Sequence, residues 1–293
     1  MENKLSFSQK VRLKLLYTFA RMIPDRKFLE WVFPLYTGYK LNLDNPKTYN
    51  EKLQWLKLYD RNPEYTKMVD KFGAKKYVAS IIGEEHIIPT LAVYDRVEDI
   101  DFTKLPNQFV LKCTHDSGGV VICKDKSTFD KAAALNKLKK GLKQNFYWKN
   151  REWPYKNVKP RIIAEKYMSD GNGSLRDYKF FCFNGNAKAM YVLKDRSVDT
   201  RLNIYDMEFN KLPFEWGGYP NYNDTIEKPE GWLEMISLAE KLSQSIPQVR
   251  VDFYYVDGKV MFGELTLFPG SGFEKFYPFQ WDAIMGDWID VLV

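Results

Sequence analysis

The chain has 293 residues, 45% of them hydrophobic and 28% charged, with a formal net charge of +6. About three quarters of the unfolded surface can be buried at this length, so a sizeable core is available and intrinsic disorder is excluded. There is no run of about 18 uncharged apolar residues, so no membrane-crossing helix is expected.

Basic charge favours anionic partners without choosing among them. Aromatic content is high at 16%, which suits either core packing or the stacking of sugars or bases. Three cysteines (Cys113, Cys123, Cys182) and two histidines (His86, His115) follow no metal spacing, so reduced thiols in a cytoplasmic protein are expected rather than a zinc site. The N-terminus has no uninterrupted apolar stretch followed by a small-residue cleavage site, and secretion is not expected.

Residues 4–22 place apolar side chains at helical spacing between lysines and arginines. This predicts a basic amphipathic helix that packs on the protein or lies on a membrane surface. Thr48 and Glu51 have capping-box spacing and open a helix. Asn62-Pro63 opens another, running to Gly83. Short β-type runs follow at 87–94, 108–114, 120–123 and 161–168, with a helical pattern over 127–143. Asn184-Gly185 and Asp257-Gly258 signal tight hairpins. A helix is predicted over 229–247 and another from Gln280, while 150–160 and 195–230 read as ordered loops. Helices first, then mostly antiparallel strands, predict an α+β fold.

Two segments carry chemistry. In the first, a β-run ends at Lys112 and a polar loop, His115-Asp116-Ser117-Gly118-Gly119, leads into a second run. Adjacent glycines let backbone N–H groups approach an anion, and the lysine adds a point charge for phosphate. A plain β-turn would also fit, and neither the P-loop nor the dinucleotide spacing is present.

The second segment is 250–270. Arg250 and Asp252 share one strand face, and Glu264 and Thr266 share a face of the next. A two-residue turn would pair Val256 with Lys259 and send the carboxylates to opposite faces. A three-residue turn would gather Arg250, Asp252, Glu264 and Thr266 on one face. It would set Val251, Phe253, Met261, Gly263, Leu265 and Leu267 on the other. The three-residue turn is expected because that apolar set is coherent. The acidic pair then needs a cation: Arg250 in an ion-pair ladder, or bound Mg²⁺.

The order of these pieces resembles the ATP-grasp superfamily. NPKTYNEKLQWLKLYDR, VLKCTHDSGGV, DYKFFCFNG and RVDFYYVDGKVMFGELTLFPGSG resemble its TupA-like family, over roughly residues 40–280. The resemblance implies an ATP-grasp fold of two α+β lobes holding ATP between them. Residues 1–60 would be an N-terminal helical segment, 61–160 the lobe with the glycine-rich loop, and 161–293 the lobe with the metal site. It also implies ATP and Mg²⁺ as cofactors, with carboxylate–amine ligation through an acyl phosphate.

By the same resemblance, Lys112 contacts phosphate, with Lys75 as the other phosphate lysine in competition with Lys71 and Lys76. Ser117, Gly118 and Gly119 cover the phosphates. Glu165, Lys166, Tyr167 and Met168 form the hinge that reads adenine, and Asp177 lies near the ribose. Lys194 is a further phosphate contact. Arg250 stabilises the transferring phosphoryl group, and Asp252 and Glu264 hold Mg²⁺. Thr266 departs from the family's usual Asn.

The implied partners are a carboxylated sugar such as a uronic acid, free or as a sugar nucleotide or glycan, and an amino acid or amino alcohol. The setting is bacterial capsule or surface polysaccharide, with no nucleic acid. Arg196, Arg201, Asp206 and Trp216 are candidate acceptor contacts. Trp148, Trp153, Tyr155, Trp216, Tyr219 and Tyr222 are candidates for holding a sugar ring or covering the site. The competing readings are a glycosyltransferase, for which no D-x-D motif is assigned, and a non-enzymatic binding module.

Overall fold

The computed structural model describes residues 6–116, 118–169, 175–194, 200–224 and 226–291. The chain begins with helices. α1 (Phe7–Thr18) opens on a capping box between Ser6 and Gln9. α2 (Asp25–Thr37) falls outside the sequence expectations. α3 (Tyr49–Tyr59) starts at the expected Thr48–Glu51 box.

The helix expected from Asn62 to Gly83 is instead two pieces, α4 (Tyr65–Val69) and α5 (Gly73–Ile82). Asp70 is extended between them, and its carboxylate accepts from the Phe72 N–H and from Arg161. The Lys71 N–H donates to the Thr114 carbonyl. Partners distant in sequence thus override a continuous helical pattern.

Two antiparallel sheets follow. The first has the order β1-β4-β2-β3, from β1 (Thr90–Tyr94), β2 (Phe109–Cys113), β3 (Val121–Cys123) and β4 (Ile162–Lys166). α6 (Lys131–Leu142) packs on β2, and the short α7 (Tyr147–Asn150) leads towards β4. β4 lies beyond residue 160 yet pairs with β1 and β2.

The second sheet has the order β10-β9-β5-β6-β7. Its strands are β5 (Asp177–Phe183), β6 (Asn186–Lys194), β7 (Arg201–Tyr205), β9 (Val249–Val256) and β10 (Lys259–Thr266). β7 and the two-residue β8 (Glu215–Trp216) lie where loops were expected. β8 pairs with β11 (Phe276–Tyr277). α8 (Trp232–Leu242) and α9 (Gln280–Asp287) complete the α+β fold.

Opposite faces of the second sheet are covered by helices. Trp232 of α8 packs on Phe180, and Tyr49 of α3 packs on Phe181 and Phe183. Phe181, Phe183 and Phe253 are therefore core residues. A separate cluster of Phe109, Leu111, Leu138 and Ile162 lies against the first sheet. The N-terminal helices have their own cluster around Phe28, Leu29, Val32 and Phe33. Arg151 ties it to the rest, its guanidinium 4.1 Å above the Phe28 ring and its Nε 3.0 Å from Asp25. Among the described residues, no helix is long and apolar enough to cross a membrane.

Candidate active site

Hairpin geometry sets the site. Asn184 and Gly185 both have positive φ, at 45° and 82°, as the predicted type I′ turn requires. Asp257 and Gly258 do the same at 52° and 74°, and Lys259 pairs with Val256. The turn is thus two residues long, and the three-residue expectation is wrong.

The carboxylates nevertheless share a face. The register shifts between Phe262 and Glu264, so Glu264 stands opposite Asp252 and Thr266 opposite Arg250. A bulge at Gly263 supplies the one-residue shift that was expected from the turn. A Cβ at Gly263 would lie 3.1 Å from the Asp252 carbonyl oxygen and 3.2 Å from the Tyr254 ring, so glycine fits the bulge best. On the opposite face, register places Val260 and Phe262 where Met261 and Gly263 were expected.

Arg250 grips Asp252 with two parallel bonds, Nε to Oδ1 and Nη2 to Oδ2, both 2.7 Å. Its Nη2 also donates to Thr266 Oγ1 at 2.9 Å and its Nη1 to the Tyr191 hydroxyl at 3.1 Å. Lys179 bonds Asp252 Oδ2 and lies 2.7 Å from Asp177. Burial alone would raise the Asp252 pKa, but Arg250 and Lys179 outweigh it and hold the carboxyl below its ordinary range. Burial would likewise lower the Lys179 pKa, yet Asp252 and Asp177 raise it. Lys179 was missed in the sequence. The signal was there, because Asp177-Tyr178-Lys179 puts the acid and the lysine on one strand face.

The second wall comes from the first sheet. Glu165 of β4 is buried and lies 2.5 Å from Lys75 and 2.6 Å from Lys112. Burial would raise its pKa, but the two ammonium groups outweigh that and lower it. Burial lowers the pKa of Lys75, against the pull of Glu165. Lys76 is exposed. Lys71 bonds the Asp116 carbonyl and stands 3.6 Å from Glu264.

One narrow pocket, with a volume of only about 20 Å³, joins the walls. Lys71, Lys75, Lys112 and Glu165 line it with Glu264, beside apolar Ile88 and Phe262. Glu165 thus contributes its side chain as a lysine clamp. The cavity lining does not include Gly118, Gly119, Lys166, Tyr167, Met168 or Asp177. Gly118 has φ +87° in the loop after β2, and a Cβ at Gly119 would sit 2.4 Å from the Asp116 carboxylate. His115 is turned inward, with Nε2 3.1 Å from the Gln144 carbonyl. Ser117, Arg196 and the side chain of Lys194 lie outside the described residues.

The donor set suits a hard cation. Arg250 and Lys179 take three of the four lone-pair sites of Asp252, which leaves one on Oδ1. The Glu264 side chain is 37% exposed, and Thr266 retains a second lone pair. Two carboxylates and a hydroxyl on one sheet face match the oxygen ligands that Mg²⁺ takes.

Behind the site, Lys57 is fully buried and donates to the Ser271 carbonyl at 2.7 Å, Gln54 Oε1 at 2.9 Å and the Asn150 carbonyl at 3.0 Å. Ser271 has φ +54°, and its hydroxyl bonds Glu152. This network holds the Pro269–Gly272 turn that follows Thr266.

Three of the aromatics expected over the site belong to the core. Tyr155, Trp216 and Tyr222 are buried, and Trp216 packs against Phe181 and Tyr191. Tyr219 is exposed at 40%. Trp148 and Trp153 are half-buried, with Trp153 against Tyr65 and Arg61. Asp206 accepts from Asn210 in a local turn, and Arg201 starts β7. One D-x-D triplet does occur, Asp99-Ile100-Asp101, contrary to the expectation of none. Its acids are engaged locally, Asp99 by Arg96 and Asp101 by Thr103.

Two antiparallel sheets with a lysine–carboxylate cleft between them form an ATP-grasp fold. The chain belongs to the TupA-like ATPgrasp family, whose model matches residues 51–290. Among solved structures it is similar to D-alanine–D-alanine ligase from Bacillus anthracis complexed with ATP, at 18% identity and a TM-score of 0.40, covering 69% of this chain and 55% of that one. The D-alanine–D-alanine ligase from Helicobacter pylori is 14% identical with a TM-score of 0.43, covering 77% and 61%. Phosphoribosylamine–glycine ligase from Thermotoga maritima is 14% identical with a TM-score of 0.41, covering 69% and 48%. The chain therefore spans less than two thirds of the length of each. No curated protein matches it.

Proposed function

We propose that this protein is an ATP-dependent carboxylate–amine ligase that releases ADP and phosphate. Its acceptor is a carboxylated sugar such as a uronic acid, and its amine an amino acid or amino alcohol. The reading places it in the cytoplasm, in bacterial capsule or surface polysaccharide synthesis, with the two sheets as the gripping walls; β4 belongs to the first sheet, so the boundary between the lobes falls after Lys166 rather than at the expected residue 160. The observation that carries the reading is the shared cavity, with Lys75 and Lys112 on one wall and Glu264 on the other. Family membership supports the ATP-dependent part. The sugar rests on the sequence resemblance alone.

ATP and a carboxylate repel one another. Lys75 and Lys112 offset the charge of the phosphates from the first sheet, exchanging their bonds to Glu165 for bonds to phosphate oxygens. Arg250 offers its remaining Nη1 N–H to oxygen that gains charge as the phosphoryl group moves to the carboxylate. Glu264 and Asp252, with Thr266, would hold Mg²⁺. When bound, the ion screens the phosphates and stabilises charge in the transfer step. Asp252 also fixes the plane of the Arg250 guanidinium, and Lys179 fixes Asp252. No protein nucleophile is needed.

The test is ATP turnover with uronic acids and a panel of amines. ADP formation that requires both carboxylate and amine supports the reading. AMP release, or turnover only with a nucleotide sugar, sinks it and favours the glycosyltransferase.

A further inference from the structure

α1 is apolar on two sides. On its inner side Leu13 is buried, with Leu16 and Tyr17 half-buried in the cluster of the N-terminal helices. On its outer side, and in the single turn after it, Phe7, Val11, Leu15, Phe19 and Met22 are exposed at 84, 42, 55, 53 and 80%. At 3.6 residues per turn Phe7, Val11 and Leu15 fall within an arc of about 80°, and Phe19 and Met22 are exposed in the turn that follows. Cations border it on both edges. Lys10, Lys14 and Arg21 lie along one side and Arg12 along the other, and residues 6–22 contain no acid. Arg21 also lies over the Trp148 ring, 5.6 Å from its centroid.

Such a row is costly in water, since burial of large apolar side chains is favourable. A second copy of the chain set against it would bring two sets of cations together. An anionic lipid surface removes both costs: the apolar row enters the acyl boundary and the flanking lysines and arginines meet headgroups. We propose that the outer stripe of α1 docks the protein on an anionic bilayer while its inner stripe holds the helix to the protein. This does not depend on the ligase reading.

The experiment uses the full chain with sedimented vesicles of phosphatidylglycerol or of phosphatidylcholine. Binding to phosphatidylglycerol should exceed binding to phosphatidylcholine by about tenfold or more and weaken with salt. The triple variant Phe7→Ser, Leu15→Ser, Phe19→Ser should lose that binding while keeping its circular dichroism melt. If the triple variant fails to fold, Lys10→Glu with Lys14→Glu, both exposed, should lose it instead. A folded wild-type chain that ignores phosphatidylglycerol overturns the proposal. So does a dimer in ultracentrifugation that the serine substitutions dissociate, which would assign the stripe to a second copy.

Discussion

Asp252 and Glu264 stand directly opposite one another on β9 and β10, and the bulge at Gly263 is what puts them there. Their surroundings differ sharply. Asp252 is buried and held by Arg250 and Lys179, whereas the Glu264 side chain is 37% exposed.

The two carboxylates should therefore respond differently to neutralisation. Glu264→Gln should lower kcat by about 10²–10³-fold, with a melting temperature close to wild type. Asp252→Asn should abolish turnover and also destabilise the fold by about 3–5 kcal/mol, because it leaves buried Arg250 without its anion and Lys179 with Asp177 alone. Thermal melts and single-turnover rates separate the two. Equal melts in both variants would contradict the ion-pair account.

Gly263→Ala tests the bulge. The added methyl meets the Asp252 carbonyl at 3.1 Å, so the strand must shift. A loss of about 1–3 kcal/mol is expected, together with a lower kcat, since the shift moves Glu264 relative to Asp252. Calorimetry and ADP formation measured on the same preparation check both.

Lys75 and Lys112 share Glu165, while Lys76 faces solvent. Lys75→Ala and Lys112→Ala should each weaken nucleotide binding by about tenfold or more. Lys76→Ala should leave it unchanged. Titration with ADP by calorimetry measures all three.

The same clamp gives a pH prediction. The folded-state pKa of Glu165 is lowered, so its contribution to stability is complete above the unfolded value of about 4.3. That contribution is lost as the pH falls through the folded value, because the unfolded state then binds the extra proton first. The melting temperature of wild type should fall on acidification below about pH 5 more steeply than that of Glu165→Gln.

Local chemistry made much of this legible. The Thr48–Glu51 box and the Asn-Gly turn are short-range signals found as expected, and Asp257-Gly258 marks a hairpin whose turn is one residue shorter than expected. The bulge escaped because a glycine within a strand reads equally as a gap in the apolar face. Lys179 escaped because its partner Asp252 is 73 positions away. The break at Asp70 and the burial of Trp216 depend on distant partners in the same way. The face shared by Asp252 and Glu264 was anticipated correctly, but from the wrong turn.

The most direct measurement uses a uronic acid labelled with ¹⁸O in its carboxylate, with ATP, Mg²⁺ and the amine that supports turnover. An acyl phosphate carries one carboxylate oxygen away when the amine displaces phosphate. The account predicts one ¹⁸O atom in the phosphate released per amide formed, with ADP as the other product. Phosphate without label, or label appearing in AMP, would contradict it.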